Sequence, residues 1–269
     1  MEQRRLRLEG KVAIVTGAGS SGPGVGTGKA TATLFAREGA KVLLVDRVAG
    51  HAEATMATIR EQGGEASVFR ADVTKSEDCQ GMVKAAVQRY GGLHILFNNV
   101  GILGRGSVVD VNEEDWDRVL EVNLKSMMLT SKYAVPRMAE AGGGAIINVS
   151  SIAGLRAGSG GPSMSYSASK GGVVALTTSM AVYHGRDNIR VNCIAPGHIY
   201  TPMVSGMTDE TRDLRRRAGP LGTEGTAWDI AWAAVFLASD EARWISGVVL
   251  PVDAGLLATT PLAMLEHLK

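Results

Sequence analysis

Short apolar segments rich in β-branched residues alternate with longer segments of helical periodicity along nearly the whole sequence. The short segments are continuously apolar, which is typical of strands buried on both faces of a parallel sheet. Parallel strands need crossover connections, and the segments of helical periodicity are long enough to supply them. The sequence therefore predicts an α/β fold, a doubly wound parallel sheet with helices on both faces.

The expected elements follow one another as strand and helix in turn. We expect strands at 12–16, 42–45, 66–70, 95–98, 145–150, 189–195 and 247–252. We expect helices at 28–37, 49–62, 76–89, 113–139, 166–183 and 227–238. No segment rich in Pro and Ser divides the chain, so residues 1–269 are predicted to form a single domain.

Composition limits the classes of partner. The 269 residues are 45% hydrophobic and 20% charged with a formal net charge of +1, which gives no indication of nucleic-acid binding. No apolar run is long enough to cross a membrane, and the charged N-terminal segment lacks the apolar stretch of a secretion signal, so a cytoplasmic location is expected. Cys79 and Cys193 fit neither a metal-binding nor a redox spacing, and no metal site is predicted.

The first predicted strand runs into a turn dense in glycine, with the sequence Gly-Ala-Gly-Ser-Ser-Gly-Pro-Gly-Val-Gly-Thr-Gly-Lys-Ala. Residues 17–22 match the dinucleotide-binding pattern, but a helix that began there would contain Gly24, Gly26 and Gly28 at a cost of about 1 kcal/mol each. We therefore expect the helix to begin near residues 26–28. Small residues before a helix N-terminus let the backbone approach a pyrophosphate, whose charge the helix dipole favours.

Asp46 follows the second predicted strand and lies eighteen positions after Gly28. That distance is close to the ~20 residues at which an acidic side chain binds the adenosine ribose of a dinucleotide. A carboxylate there accepts hydrogen bonds from the ribose hydroxyls and repels a 2′-phosphate, so NAD is favoured over NADP. Arg47 and Lys29 are nearby cations that could accommodate the phosphate, and NADP stays the less favoured alternative.

Tyr166 and Lys170 lie four residues apart in a predicted helix, so their side chains fall on one face. A free tyrosine loses its proton only near pH ~10. A neighbouring ammonium favours the phenolate, so Lys170 is expected to lower the pKa of Tyr166 towards the working range of a general base. Ser151 follows a predicted strand and is expected to hold the substrate oxygen while Tyr166 moves its proton.

Other short motifs occur in order along the chain. The complete series is Thr16-Gly17 with Gly26-Thr27-Gly28, Asp72-Val73, Asn98-Asn99-Val100-Gly101, Asn123, Ser150-Ser151, Tyr166 with Lys170, Pro196-Gly197 with Thr201-Pro202, and Val252-Asp253-Ala254-Gly255. Each motif alone is unspecific, but the series in this order, from about Leu8 to Gly255, resembles the short-chain dehydrogenase/reductase family. The resemblance implies a Rossmann fold and hydride transfer with a nicotinamide cofactor.

The resemblance also implies the roles of individual residues. Ser151, Tyr166, Lys170 and Asn123 would form the catalytic group, with Asn123 holding a water that links Lys170 to solvent. Asp72 and Val73 would contact the adenine, Asn99 and Gly101 the adenosine ribose, Thr201 the nicotinamide carboxamide, and Lys170 the nicotinamide ribose. The implied cofactor-binding residues are Gly17, Ser20, Ser21, Gly26, Thr27, Gly28, Asp46, Arg47, Asp72, Val73, Asn99, Gly101, Tyr166, Lys170, Pro196, Gly197, Ile199 and Thr201.

The chain departs from the family pattern at three places. The glycine turn is longer than usual between Gly17 and Gly26, and we expect a lengthened phosphate loop, since loop length costs little entropy. The segment between Ser151 and Tyr166 is longer by residues around 158–161. Val100 stands where the family usually has alanine, which is a mild change.

By resemblance, residues 198–225 form a lid over the substrate. Met203, Val204 and Met207 offer either an apolar pocket wall or simple helix packing. His198 is either a satisfied loop histidine or a substrate contact. Arg212, Arg215, Arg216 and Arg217 form either a solvated helix face or a grip on an anionic substrate. The apolar tail at 256–269 is expected to pack on another subunit of a homotetramer or homodimer.

The leading hypothesis is an NAD-dependent oxidoreductase that interconverts a small or alicyclic secondary alcohol and a ketone, with Tyr166 as acid and base. One alternative is a 3-oxoacyl-thioester reductase that uses NADPH, which the arginines favour and Asp46 disfavours. Another is a non-catalytic dinucleotide-binding redox sensor. The presence of Ser151, Lys170 and Asn123 together with Tyr166 argues against a silent protein.

Overall fold

A computed structural model of the chain describes residues 6–156 and 163–268. The strands are β1 (Val12–Thr16), β2 (Lys41–Asp46), β3 (Ala66–Arg70), β4 (Ile95–Asn98), β5 (Gly144–Val149), β6 (Ile189–Pro196), β7 (Ile199–Tyr200), β8 (Gly225–Thr226) and β9 (Val249–Val252). The helices are α1 (Thr27–Arg37), α2 (Ala49–Glu61), α3 (Ser76–Tyr90), α4 (Glu113–Leu120), α5 (Ser126–Glu140), α6 (Met164–His184), α7 (Asp209–Ala218), α8 (Ala227–Ala238) and α9 (Leu265–Leu268).

The main sheet is parallel throughout and has the strand order β3-β2-β1-β4-β5-β6-β9. Alternate residues of β1 point to opposite faces: Ala13 and Val15 pack with α1, α2 and α8, whereas Val12 and Ile14 pack with α3, α5 and α6. Helices therefore cover both faces of the sheet, and the predicted doubly wound α/β fold is confirmed.

The strand order changes direction between β1 and β4, and ligands of such folds bind at the carboxyl ends of the strands near this change. Thr16 ends β1, Asp46 ends β2, Asn98 ends β4, and Ser151 follows the end of β5 by two residues. The topology therefore brings these predicted site residues to one edge of the sheet.

The predicted helix at 113–139 is wrong in one respect, because it is not continuous. The turn Glu121–Lys125, between α4 and α5, is π-helical and contains the buried Asn123. A π-helical turn is rare and frequently marks a functional site. The apolar pattern runs through this turn unchanged, so periodicity alone does not reveal it. The other predicted elements differ from the observed ones only at their ends.

The segment after β6 carries elements that the sequence pattern does not predict. The short strands β7 and β8 pair with each other, and α7 lies between them in the chain. Helix α7 has very few apolar residues, but Thr208 caps it by accepting a hydrogen bond from the main-chain nitrogen of Thr211 at 3.2 Å. Residues 158–161, which were expected to lengthen the approach to Tyr166, lie outside the described residues.

The tail after residue 255 already packs on its own chain. Helix α9 contacts α7, Met264 is buried, and Arg217 donates a hydrogen bond to the carbonyl oxygen of His267 at 3.3 Å. Leu262 and Leu265 stay exposed, so packing on a second subunit stays a prediction for them. Among the described residues, no helix combines the length and the apolar character needed to cross a membrane.

Candidate active site

Gly154 lets the turn after β5 pack directly on α6. A Cβ atom on Gly154 would lie 2.5 Å from the carbonyl carbon of Lys170, so any larger residue would push the two segments apart. Ser150 reinforces this contact, because its Oγ donates a hydrogen bond to the carbonyl oxygen of Lys170 at 2.7 Å. The packing brings Ser151 to the helix that carries Tyr166 and Lys170.

Lys170 is buried, and its ammonium is bound to the strand below it. The residue is 3% exposed, and Nζ donates a hydrogen bond to the carbonyl oxygen of Val149 at 2.8 Å. Nζ lies 5.7 Å from the centre of the Tyr166 ring. Burial of the charged form lowers the pKa of Lys170 from 10.5 to about 8, against an opposing effect of the Cys193 thiol. Lys170 can therefore exchange a proton close to neutral pH.

The expected direction of the Tyr166 pKa is wrong. Burial raises the pKa of the Tyr166 hydroxyl above its ordinary value, and a hydrogen bond with Ser151 opposes the rise. Burial outweighs the effect that was expected of Lys170, whose ammonium donates its hydrogen bond to the carbonyl oxygen of Val149. Tyr166 is therefore protonated at neutral pH, the state in which it can donate to a substrate oxygen.

Ser151 is held in one orientation by the turn that follows it. Its Oγ accepts a hydrogen bond from the main-chain nitrogen of Ala153 at 3.1 Å. The Ala153 hydrogen bond leaves the hydroxyl hydrogen of Ser151 available, for its hydrogen bond with Tyr166 or for the predicted role of holding a substrate oxygen. Ser151 and Tyr166 are thus two adjacent hydroxyl groups at the carboxyl edge of the sheet.

Asn123 ties the π-helical turn to the loop after β4. Its amide oxygen accepts a hydrogen bond from the Ile102 nitrogen at 2.7 Å, and its amide nitrogen donates to the Ile102 carbonyl at 2.9 Å and to Ser169 Oγ at 3.0 Å. A Cβ atom on Gly101 would lie 3.3 Å from Lys170 Nζ and 3.4 Å from Asn123 Oδ1. The two polar groups therefore flank the same small space at Gly101, where the predicted water would sit.

The glycine turn brings β1 and α1 into direct contact. A Cβ atom on Gly28 would lie 1.9 Å from the carbonyl oxygen of Gly17, so only glycine fits there. Gly17 has φ +62°, in the left-handed region that glycine adopts freely. Helix α1 begins at Thr27 after Gly26, whose lack of a side-chain cap leaves the first N–H groups open. The predicted helix start near 26–28 is confirmed.

The lengthened loop folds back towards the end of β2. The main-chain nitrogen of Gly19 donates a hydrogen bond to Asp46 Oδ2 at 3.0 Å, and that of Gly26 donates to Ser20 Oγ at 2.9 Å. A Cβ atom on Gly19 would lie 2.3 Å from Cβ of His51, a neighbour that the sequence did not indicate. Ser20 therefore closes the loop on itself, whereas Ser21 is exposed.

The two acidic residues at the ends of β2 and β3 are both held by N–H groups. Asp46 also accepts from the Val48 nitrogen at 2.9 Å. Asp72 accepts from the nitrogen and the hydroxyl of Thr74 at 3.0 and 2.8 Å. Burial would raise the pKa of Asp72, but the Thr74 hydrogen bonds and the charges of Arg47 and Lys75 outweigh it and lower that pKa. Asp72 is therefore a carboxylate at neutral pH.

The remaining predicted cofactor residues lie along the same edge. Val73 is buried in the core behind Asp72. Asn99 donates from its side chain to the carbonyl oxygens of Thr16 and Gly17 at 3.2 and 3.3 Å, which fixes the end of β1. The later residues lie where β6 ends and the lid begins, namely Pro196, Gly197, Ile199 and Thr201.

Gly197 is also a close crossing point. A Cβ atom on it would lie 2.5 Å from Cα of Asp253, just after β9. Asp253 in turn accepts hydrogen bonds from the nitrogens of Gly255 and Leu257 at 3.0 and 2.8 Å. The motif Val252-Asp253-Ala254-Gly255 therefore anchors the segment after β6 and the start of the tail, a role that the spacing alone did not reveal.

The arrangement fits a nicotinamide dinucleotide. The direct Gly17–Gly28 contact makes a tight turn before α1, the open N–H groups of α1 suit a pyrophosphate, and Asp46 suits a ribose. Tyr166 and Ser151 place a proton donor beside the same edge of the sheet. These features define the class of nicotinamide-dependent oxidoreductases.

Comparisons with known proteins lead to the same class. A family model described as enoyl-(acyl carrier protein) reductase matches residues 23–257. A 3-oxoacyl-(acyl-carrier-protein) reductase of Thermotoga maritima is 38% identical over 94% of this chain and 100% of its own. A cis-4-hydroxycyclohexanecarboxylate dehydrogenase of Sinomonas cyclohexanicum is 39% identical over 92% of this chain and 97% of its own.

A solved structure described as a short-chain dehydrogenase/reductase of Burkholderia xenovorans matches with a TM-score of 0.90 and 41% identity. The match covers 94% of this chain and 99% of that one. The chain belongs to the short-chain dehydrogenase/reductase family, and it is an oxidoreductase that uses NAD or NADP.

Proposed function

We propose that the chain, as a single domain over residues 1–269, interconverts a secondary alcohol and a ketone with NAD as its preferred cofactor. The observation that carries the proposal is the packing of the Ser151 turn on the helix that bears Tyr166 and Lys170, at the edge where the strand order changes direction. Residues 198–225 serve as the lid over the substrate, and the turn at Gly17 holds the pyrophosphate.

Ser151 and Tyr166 act on the oxygen of the substrate. In oxidation, Tyr166 first loses its own proton towards solvent and then takes the proton of the alcohol, whose oxygen accepts a hydrogen bond from Ser151. A nicotinamide held at this edge would supply the acceptor for the hydride of the carbinol carbon. In reduction, the raised pKa of Tyr166 keeps it protonated, so that it can give its proton to the developing alkoxide. Much of the rate enhancement comes from positioning the substrate and from polar groups placed where charge develops in the transition state.

Lys170 and Asn123 carry the proton between Tyr166 and solvent. The pKa of Lys170 near 8 allows its ammonium to lose and regain a proton at working pH. The amide oxygen of Asn123 faces the same space at Gly101 and can hold the connecting water. Asn123 is therefore a positioning residue in this proposal.

The preference for NAD rests on Asp46. Its two oxygens accept from Gly19 and Val48, which holds the carboxylate at the end of β2 where the adenosine ribose would bind. Steady-state kcat/KM with NAD and with NADP tests the assignment, and the value with NAD should be higher. A higher kcat/KM with NADP would reject the cofactor assignment, but the proposed reaction would still stand.

A second candidate is a 3-oxoacyl-thioester reductase with NADPH, supported by the similarity to the Thermotoga maritima reductase. A panel of cyclic alcohols, steroid alcohols, sugars and acyl thioesters, assayed in both directions with both cofactors, separates the two reactions. Turnover of acyl thioesters alone would favour the second candidate. Cofactor binding in a fluorescence titration without any turnover would instead support a non-catalytic redox sensor.

We also propose that the chain forms a homotetramer or a homodimer. Trp232 on α8 is 49% exposed, and Trp244, shortly before β9, is 91% exposed. Large apolar side chains at neighbouring elements suit an interface between subunits. Light scattering after size-exclusion chromatography measures the mass, and a monomer at micromolar concentration would contradict this part of the proposal.

A further inference from the structure

The four arginines of α7 are not equivalent. Arg212 binds Glu224 through two hydrogen bonds of 3.1 and 2.6 Å. Arg216 and Arg217 both bind Asp213, at 2.7 and 2.8 Å. Each of these three arginines therefore has a carboxylate partner on the same segment, which fits the prediction of a solvated helix face.

Arg215 is the exception. Within residues 6–156 and 163–268, no carboxylate lies within salt-bridge distance of its guanidinium, and its side chain contacts the sulfur of Met207. The residue is half-buried, and burial lowers the pKa of its guanidinium. Glu224 attracts it from a distance but is already bound by Arg212. A half-buried guanidinium with an apolar neighbour and no anion is an incomplete arrangement, because desolvation of a charge is costly without a partner.

Arg215 lies on the face of α7 that is turned to the domain. Its carbonyl oxygen accepts a hydrogen bond from His198 Nδ1 at 3.3 Å. One turn away, the guanidinium of Arg212 stacks on the ring of Tyr200 at 3.8 Å from its centre. His198 and Tyr200 flank Ile199, in the segment proposed to bind the nicotinamide. Besides burial, the charge of Arg215 contributes to the lowered pKa of His198, so its guanidinium lies near this ring, on the segment that follows β6.

His198 does not supply the positive charge at this place. Its Nδ1 carries the hydrogen that is donated to the Arg215 carbonyl, so Nε2 is the unprotonated nitrogen. Burial lowers the pKa of His198, which keeps the ring neutral at neutral pH. Arg215, in contrast, carries a positive charge. In the described part of the chain, none of its nitrogen atoms is both buried and without a hydrogen-bond partner, so its N–H groups that make no hydrogen bond are exposed at the surface.

The surroundings of the catalytic group are apolar. Leu103, Met164 and Met203 are 45–50% exposed, and they lie on the loop after β4, just before Tyr166, and at the start of the lid. Met207 adds an apolar side chain in direct contact with Arg215. A substrate with an apolar body and one negative charge at its far end matches such a surface.

We propose that Arg215 binds a carboxylate of the substrate, so that the physiological substrate is a hydroxy acid whose carboxylate is remote from the carbinol carbon. One planar guanidinium with one positive charge matches the geometry and charge of one carboxylate. The proposal rests on the alcohol dehydrogenase function above and deepens it. It needs no change in the catalytic roles of Ser151 and Tyr166.

The kinetic test compares 4-hydroxycyclohexanecarboxylate with its uncharged methyl ester in the wild type, Arg215→Met and Arg216→Met. The wild type should prefer the acid. Arg215→Met should lower kcat/KM for the acid by about 10- to 100-fold, the effect of losing a charge-assisted hydrogen bond, mainly through KM, with little change for the ester. Arg216→Met removes an equal charge from the exposed face of the same helix and should leave the ratio of acid to ester unchanged.

A binding test separates this proposal from the reaction itself. Calorimetry with cyclohexanecarboxylate, hexanoate and benzoate, on protein saturated with NADH, measures recognition of the carboxylate without turnover. The proposal is supported if at least one acid binds to the wild type, fails to bind to Arg215→Met and binds more weakly to Arg215→Lys. If this result is found but neither alcohol is oxidised, only the proposed reaction is rejected. Oxidation of the alcohols with equal effects of Arg215→Met on acid and ester, or no binding of any of the three acids, overturns it.

Discussion

Replacement of Lys170 by Met should remove a pH dependence of stability that the buried ammonium creates. The folded state lowers the pKa of Lys170 from 10.5 to about 8, so between these values the unfolded chain binds a proton that the folded chain does not. The free energy of unfolding of the wild type should therefore rise with pH in this window relative to that of Lys170→Met. From pH 7 to pH 10 the rise is roughly 2–3 kcal/mol, since each tenfold change in proton affinity corresponds to about 1.4 kcal/mol.

Urea denaturation of the cofactor-free proteins at pH 7 and at pH 10, at one protein concentration, measures this difference. Burial also raises the pKa of the Cys79 thiol to about 12 in both proteins, so its effect on the difference cancels. The Cys193 thiol interacts with Lys170, but its pKa of about 11 keeps it mostly protonated in the folded protein up to pH 10. Lys132→Met, at an exposed position of α5, is the matched control and should not reproduce the effect. The reasoning would be refuted if the difference in the free energy of unfolding between the wild type and Lys170→Met were the same at pH 7 and at pH 10.

Three further variants test other parts of the site. Gly28→Ala should weaken NADH binding by roughly tenfold or more, because its Cβ would lie 1.9 Å from the Gly17 carbonyl oxygen. The control is Gly50→Ala, whose Cβ meets nothing within 4 Å and which should leave NADH binding unchanged. Fluorescence titration with NADH measures both variants. Tyr166→Phe should lower kcat by about 10²- to 10⁴-fold with NADH affinity unchanged within a few-fold, and a clearly active variant would remove Tyr166 from the mechanism. Asn123→Ala should lower the free energy of unfolding by about 1–3 kcal/mol, because the main-chain groups it binds lose their partner; an unchanged urea midpoint would contradict this.

The sheet could be predicted from the sequence because buried parallel strands leave continuous apolar runs. The start of α1 could be predicted because glycine is costly inside a helix, which excluded the first register of the turn. The place of Asp46 could be predicted because it directly follows the apolar run of β2. In each case the pattern and the structural requirement are local in the chain.

Other features depend on contacts that no local pattern contains. The π-helical turn depends on how the hydrogen bonds of Glu121–Lys125 are shared, while its residues fit an ordinary apolar helix. The rise of the Tyr166 pKa depends on burial and on the direction of one ammonium, and a four-residue spacing specifies neither. The contact of Gly19 with His51 and the isolation of Arg215 appear only once the chain is folded.

The π-helical turn makes the site sensitive to the length of the chain as well as to its residues. A turn of this kind holds one residue more than an α-helical turn and accommodates it without turning the helix that follows. Deletion of a single codon within Glu121–Lys125 would restore a regular helix with α5 in place, but it would remove the widened turn in which Asn123 reaches the main chain of Ile102. A one-residue deletion should therefore damage this side of the site as severely as the loss of Asn123 itself.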